Sequence, residues 1–184
     1  MGFDFSKYKR IILIGNSGSG KSWLSKRIAG ITGYPLFHLD KEHWRPNMAM
    51  APREEKIARQ QEIISGEEWI IDGNFSSTLE LRFAAADLIV FFDVKRLMCL
   101  VGVIQRNKKK RTDMPDYWTE PKIPSKEFFK FCKYMWQFPK TSRQAIIDLH
   151  EKYPEKEFLH IKNRRQVRKI LKEDDHVRNN NNRY

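Results

Sequence analysis

The eight residues Gly15, Asn16, Ser17, Gly18, Ser19, Gly20, Lys21 and Ser22 follow directly on the apolar run RIILI, Arg10 to Ile14. Glycine, serine, asparagine and lysine cannot pack a core, so the stretch has another purpose. It spells G-x-x-x-x-G-K-[ST], the Walker A pattern, and the apolar run before it supplies the required strand. Such a loop curls tightly so that backbone N–H groups converge on a phosphate, and its glycines let the anion approach closely. The helix that follows adds the partial positive charge of its N-terminus. All eight residues are therefore candidate nucleotide contacts. Lys21 is placed to bridge the β- and γ-phosphates of ATP, and the Ser22 hydroxyl to ligate Mg²⁺.

A strand–loop–helix at the start of the chain constrains the remainder. Short apolar runs recur at Leu36–Asp40, Trp69–Asp72, Leu88–Asp93 and Glu157–Ile161. Between them lie polar stretches with helical spacing: Lys21–Ile31, Pro52–Ser65, Thr78–Ala85, Arg96–Asn107, an aromatic-rich Ser125–Phe138, Lys140–Lys152 and a last helix from Arg164. Strands alternating with helices predict an α/β fold around a parallel sheet covered on both faces. The strand runs lack polar alternation, as befits strands buried on both sides. Ligands of such sheets sit beyond the C-terminal strand ends, which singles out Gly15, Asp40, Asp72, Asp93 and Lys162.

The 184 residues suit one domain, predicted over 1–173, with the polar tail 174–184 disordered. Net charge is +12, from 35 Lys+Arg against 23 Asp+Glu, which suits an anionic partner. Cys99 and Cys132 form no metal-ligand spacing, and with no signal-like or membrane-length apolar run a cytoplasmic location is expected. Gly2 and Ser6 fit the loose myristoylation pattern, which is short enough to arise by chance. A GTPase would carry N/T-K-x-D, and NKKK at Asn107 lacks the aspartate. An ATPase motor would need a strand ending in Asp-Glu, whereas Asp72 precedes Gly73 and Asp93 precedes Val94.

The order Walker A, LFHLD, WIIDGNF, ADLIVFFD and an arginine-rich loop resembles the adenylate-kinase-like P-loop kinases. More closely, HLDKEHWRP, PREE, WIIDGNF, LRFAAADLIVFFD and FPKTSR resemble the DNA topology modulation protein family, over about Lys9 to Leu171. The resemblance implies a three-layer sandwich, a five-stranded parallel sheet in the order 2-3-1-4-5 and a helical lid insertion over about 107–140. It implies an ATP- and Mg²⁺-dependent phosphotransferase acting on a small acceptor of the nucleoside or nucleotide kind. DGNF is similar to the DGFP stretch of nucleoside monophosphate kinases, which implies a water-mediated Mg²⁺ contact for Asp72 and an acceptor border at Gly73 and Asn74. Ser76 and Ser77 replace the proline and arginine of that pattern, leaving Arg82 as the candidate anion-binding arginine or a surface cation. Asp93 also ends an apolar strand and competes with Asp72 as the metal-linked aspartate. Asp40 matches the acidic residue that small-molecule kinases set against their acceptor, as a base or metal contact, or it caps a turn. His38, two residues before it, reads as a satisfied, partly buried histidine. Trp44 and Arg45 are candidates for stacking and anion pairing in the acceptor pocket, or for a packing anchor and its solvated neighbour.

The basic stretch RNKKKR opens the region expected to form the lid. Phosphoryl transfer needs positive charge around the equatorial oxygens. Arg106 and Arg111 bracket this stretch and Arg143 lies where the lid returns; these three, with Lys21 and Asp40, form the candidate catalytic set. Some of Lys108, Lys109 and Lys110 are expected to be solvated only. The same cations, with Tyr117 and Trp118, would serve a nucleic-acid binder, although no helix-turn-helix, zinc-finger or RNA-recognition signature is present. An ATP-dependent switch or ATPase is the third reading. The aromatics of Phe128–Trp136 are expected in the core.

Overall fold

The computed structural model describes residues 3–46, 49–107 and 111–171. Five strands, β1 (Arg10–Gly15), β2 (Leu36–His38), β3 (Trp69–Asp72), β4 (Leu88–Phe92) and β5 (Glu157–Ile161), form one sheet in the order 2-3-1-4-5. Every pairing is parallel. Seven α-helices lie between strands: α1 (Lys21–Thr32), α2 (Leu39–His43), α3 (Arg53–Ile64), α4 (Leu79–Ala85), α5 (Arg96–Arg106), α6 (Lys126–Phe138) and α7 (Gln144–Lys152). A further helix over 164–171 follows β5.

The period-2 geometry of the strands divides the core into two layers. Ile11, Leu13, Ile70, Leu88, Val90 and Phe92 face the layer built on α1, α5 and α6. Ile12, Ile14, Ile71, Ile89 and Phe91 face the layer built on α3, α4 and α7. Both faces of β1 are thus sealed, and Ile11 to Ile14 are fully buried. At ~1.5–3 kcal/mol per buried aliphatic side chain, β1 alone anchors the sheet under the loop it carries.

Three elements differ from the sequence-based expectation. The second strand stops at His38, and the chain turns at once into α2, so Asp40 stands on a short helix and not at a strand end. Phe138 is followed by one turn of wider π geometry, Pro139–Arg143, that leads into α7 without a break. Proline here removes a donor from the ladder, and the wider turn absorbs the fault. The aromatics of α6 divide: Phe128 and Phe138 are buried, whereas Phe129 (64% exposed), Tyr134 (61%) and Trp136 (43%) face outward. Cys99 lies in the core and Cys132 is half-buried; neither is in a disulfide. Lys108, Lys109, Lys110, Gly2 and the tail 174–184 lie outside the described residues.

Candidate active site

The loop between β1 and α1 is held by side chains from three directions. Asn74, just past β3, accepts a hydrogen bond from the Gly15 N–H through Oδ1 at 2.8 Å. Asn16 is buried; its Oδ1 accepts from the Ser17 N–H and its Nδ2 donates to the Met135 carbonyl of α6 at 2.9 Å. Arg164 donates to the Gly18 carbonyl at 3.0 Å. The closest approach is that of α5. A Cβ on Gly102 would stand 2.2 Å from the Gly18 carbonyl oxygen, so only glycine lets the helix and the loop touch here. Gly20 caps α1 at φ 110°, and the helix N-terminus opens under Lys21 and Ser22.

Beside this loop is a cavity of about 530 Å³. Lys21, Lys26, Arg106, Arg111, Arg164 and Arg168 line it, against one acid, Asp113. That balance suits a polyphosphate. Two buried polar atoms in residues of its walls, Ser19 Oγ and Arg106 Nε, have no partner among the described residues. Buried polar groups of this kind are normally satisfied. Lys21 Nζ rests on the Asn16 carbonyl at 3.2 Å. Burial, with Arg111 alongside, lowers the pKa of Arg106.

Near Lys21 stand the ends of β2 and β3. His38 Nδ1 is 3.0 Å from Asp72 Oδ2, with both residues buried and in register as strand neighbours. The second Asp72 oxygen, Oδ1, is buried and without a partner. Asp40 is close enough to feel Lys21, Arg111, Asp72 and Asp113. Burial raises its pKa; Arg111 and Lys21 pull it down, while Asp72 adds to the rise. Trp44 packs against Trp118, with ring centroids 4.9 Å apart, and Tyr117 donates from its hydroxyl to the Trp44 carbonyl. The segment before α6 therefore reaches across to the β2 side.

Other candidates sit elsewhere. Arg82 is fully buried, its Nη1 donating to the Gly73 carbonyl at 2.9 Å and its Nη2 to the carbonyls of Asn74 and Phe75. It is neither a surface cation nor open to an anion; it pins the turn that contains Gly73 at φ 142° and Phe75 at φ 36°. Asn74 is committed to the loop through Gly15. Arg45 pairs with Glu55. Asp93 accepts from Arg143 Nε at 3.0 Å through each oxygen, and His160 Nε2 stands 3.0 Å away. Burial would raise the Asp93 carboxyl, but Arg143 and His160 bring it below the usual range. Arg143 is thereby drawn to the end of β4, and Asp93 has no oxygen left without a partner.

Sequence reasoning missed Asp113, Glu120, Gly102, Arg164 and Arg168. Arg164 and Arg168 carried the clearest signal, being four apart on the helix just after a strand end. Asp113 and Glu120 lie among prolines in a segment without periodicity; Asp113 is two residues from Arg111, but only the folding of the segment brings Glu120 to the same guanidinium.

No family model matches the chain, and no curated protein matches it. Solved structures do. A shikimate kinase from Acinetobacter baumannii, in complex with shikimate, superposes with a TM-score of 0.57 at 15% identity, over 91% of this chain and 93% of that one. A shikimate kinase from Bacteroides thetaiotaomicron gives 0.52 at 16%, over 94% and 97%. A gluconokinase from Sinorhizobium meliloti 1021 gives 0.55 at 15%, over 97% of each. At this identity the likeness is one of fold: the five-stranded parallel sheet and its helices have the arrangement of P-loop small-molecule kinases.

Proposed function

We propose that the protein is a P-loop small-molecule kinase that moves the γ-phosphate of ATP to a small hydroxyl acceptor of the nucleoside or nucleotide kind. One observation carries the reading. A polycationic cavity lined by Lys21 stands beside the Walker A loop, and Asp40, a half-buried acid of raised pKa, is close enough to feel the same lysine. A donor and an acceptor could meet across Lys21. The resemblance of WIIDGNF and its neighbours to the DNA topology modulation proteins supports the same reading, and the fold neighbours support its coarser part, ATP-dependent transfer to a small acceptor.

The residues divide the work. Backbone N–H groups of Gly15–Ser22 and the N-terminus of α1 hold the phosphates. Lys21 leaves the Asn16 carbonyl and follows the γ-phosphate. Ser22, with the free Asp72 oxygen, would hold Mg²⁺, whose charge offsets that of the phosphates. Asp72 suits this better than Asp93, which is already neutralised by Arg143. Arg106 and Arg111 supply charge around the transferring group. Asp40 accepts the proton of the attacking hydroxyl, a task for which a raised pKa is an advantage at neutral pH. Trp44 and Gly73 border the acceptor. The segment 107–140 acts as a lid that excludes water, since water competes as acceptor. Two cysteines outside any disulfide agree with a reducing cytoplasm, and no helix among the described residues is long and apolar enough to cross a membrane.

An ADP-release assay across nucleosides, nucleotides and small polyols tests the proposal. Turnover should depend on one acceptor class, and Lys21→Ala should lower it at least ~100-fold with folding intact. Rapid hydrolysis that ignores the acceptor would favour an ATP-dependent switch instead.

A further inference from the structure

The segment between α5 and α6 brings Arg111 and the acid Asp113 to the wall of the cavity. Arg111 donates from Nε to Asp113 Oδ1 at 3.0 Å and from Nη2 to Asp113 Oδ2 at 2.8 Å. It donates from Nη1 to Glu120 Oε1 at 3.0 Å. All three side chains are largely buried, at 11%, 11% and 17% exposure. Burial alone would raise the Asp113 carboxyl. Arg111 holds it well below the usual carboxylate range, and the Ser22 hydroxyl adds to the effect. One carboxylate therefore stands beside both the lid arginine and the Walker A serine. A guanidinium has five N–H donors. Three are committed to Asp113 and Glu120, and two remain.

We propose that Asp113, with Glu120 as a second hold, is a positioning residue that fixes Arg111 over the Walker A loop so that its two remaining donors meet the γ-phosphate. The proposal rests on the phosphotransferase reading. A bidentate pair defines the plane of a guanidinium as well as its position, which a single contact does not. An arginine with four rotatable bonds between the backbone and the fork would otherwise lose much of its effect to disorder. Glu120 comes from seven residues further along the same segment, so the clamp also folds the segment upon itself. Lys26 adds a tether by donating to the Thr112 hydroxyl. Among the described residues nothing comparable orients Arg106, whose Nε has no partner there.

The test is a double-mutant cycle on nucleotide binding, which needs no knowledge of the acceptor. The wild type, Arg111→Ala, Asp113→Asn and the double variant are titrated with Mg²⁺ and either ADP or a non-hydrolysable ATP analogue. Asp113→Asn should weaken the analogue ~10-fold and ADP less than ~2-fold, and in the Arg111→Ala background it should change neither. Equal losses in both backgrounds would mean that Asp113 acts through Ser22 or through folding, and the clamp would be refuted. Tighter analogue binding by Asp113→Asn would make the acid a plug, and would refute it too. Glu120→Gln runs the same cycle should Asp113→Asn fail to fold, with a smaller loss expected. A wild type that shows no affinity for the analogue would bring down the phosphotransferase reading and the clamp together. A wild type that binds normally, beside an inert Asp113→Asn, would bring down the clamp alone.

Discussion

Arg82 takes its charge into the interior without an acid beside it, and burial lowers its pKa to about 9. Three carbonyls of the turn after β3 receive its donors, and loss of the side chain would leave them unsatisfied. From sequence it reads as a cation available to an anion, because residue type gives charge and not burial. His43 is a similar case. It is buried at the end of α2, beside Gln60 of α3 and edge-on to Phe75. Burial, with Arg82 and Lys56 nearby, lowers its pKa from 6.5 to about 4. The unfolded chain therefore takes up a proton in acid before the folded one does, so stability is lost as pH falls from 6.5 towards 4, by up to ~3 kcal/mol. Urea unfolding of the wild type should show a falling midpoint over that window, and His43→Asn a flatter one. Parallel acid limbs in the two proteins would exclude His43 as the cause. The candidate site residues legible in advance were those whose chemistry depends on local spacing, the Walker A set above all. Asp113 and Glu120 were not, since their spacing of two and nine residues from Arg111 matches no periodic pattern and only the folded segment sets both on one guanidinium.

At the scale of elements, the sheet could be read almost to the residue. β3 and β5 have the bounds expected for them, and β3 shows why most clearly, because a parallel strand buried on both faces leaves a continuous hydrophobic signature. LFHLD misled at its end. Leu39 and Asp40 continue the pattern of a strand, but α2 buries Leu39 beneath Gly73, and helix and strand cannot be separated over so short a run. The helix interiors were legible by period and their contacts were not. Gly102 is the clearest example, a mid-helix glycine with a propensity cost near ~1 kcal/mol that is explained only by the loop lying against it. Gly102→Ala should force α5 away from Gly18 and weaken MgATP binding ~10-fold or more, while Gly30→Ala, where a Cβ would meet nothing within 4 Å, should bind as the wild type does. Titration of the two variants side by side checks this. Equal affinities would show that the loop does not depend on α5.

For the whole molecule, a charge of +12 admits both a nucleotide enzyme and a nucleic-acid binder. Six cations gathered round one cavity of about 530 Å³ favour a compact polyphosphate over a long backbone tracked along a surface. The central claim is phosphoryl transfer across Lys21, and the fate of the γ-phosphate tests it most directly. The protein would be incubated with MgATP and the acceptor class that stimulates ADP release, and the products followed by ³¹P NMR, with Lys21→Ala as the control. The account predicts ADP and a phosphorylated acceptor in equal amounts from the wild type, little inorganic phosphate, and neither product from the variant over the same time. ADP matched by inorganic phosphate, at a rate indifferent to every acceptor, would contradict it.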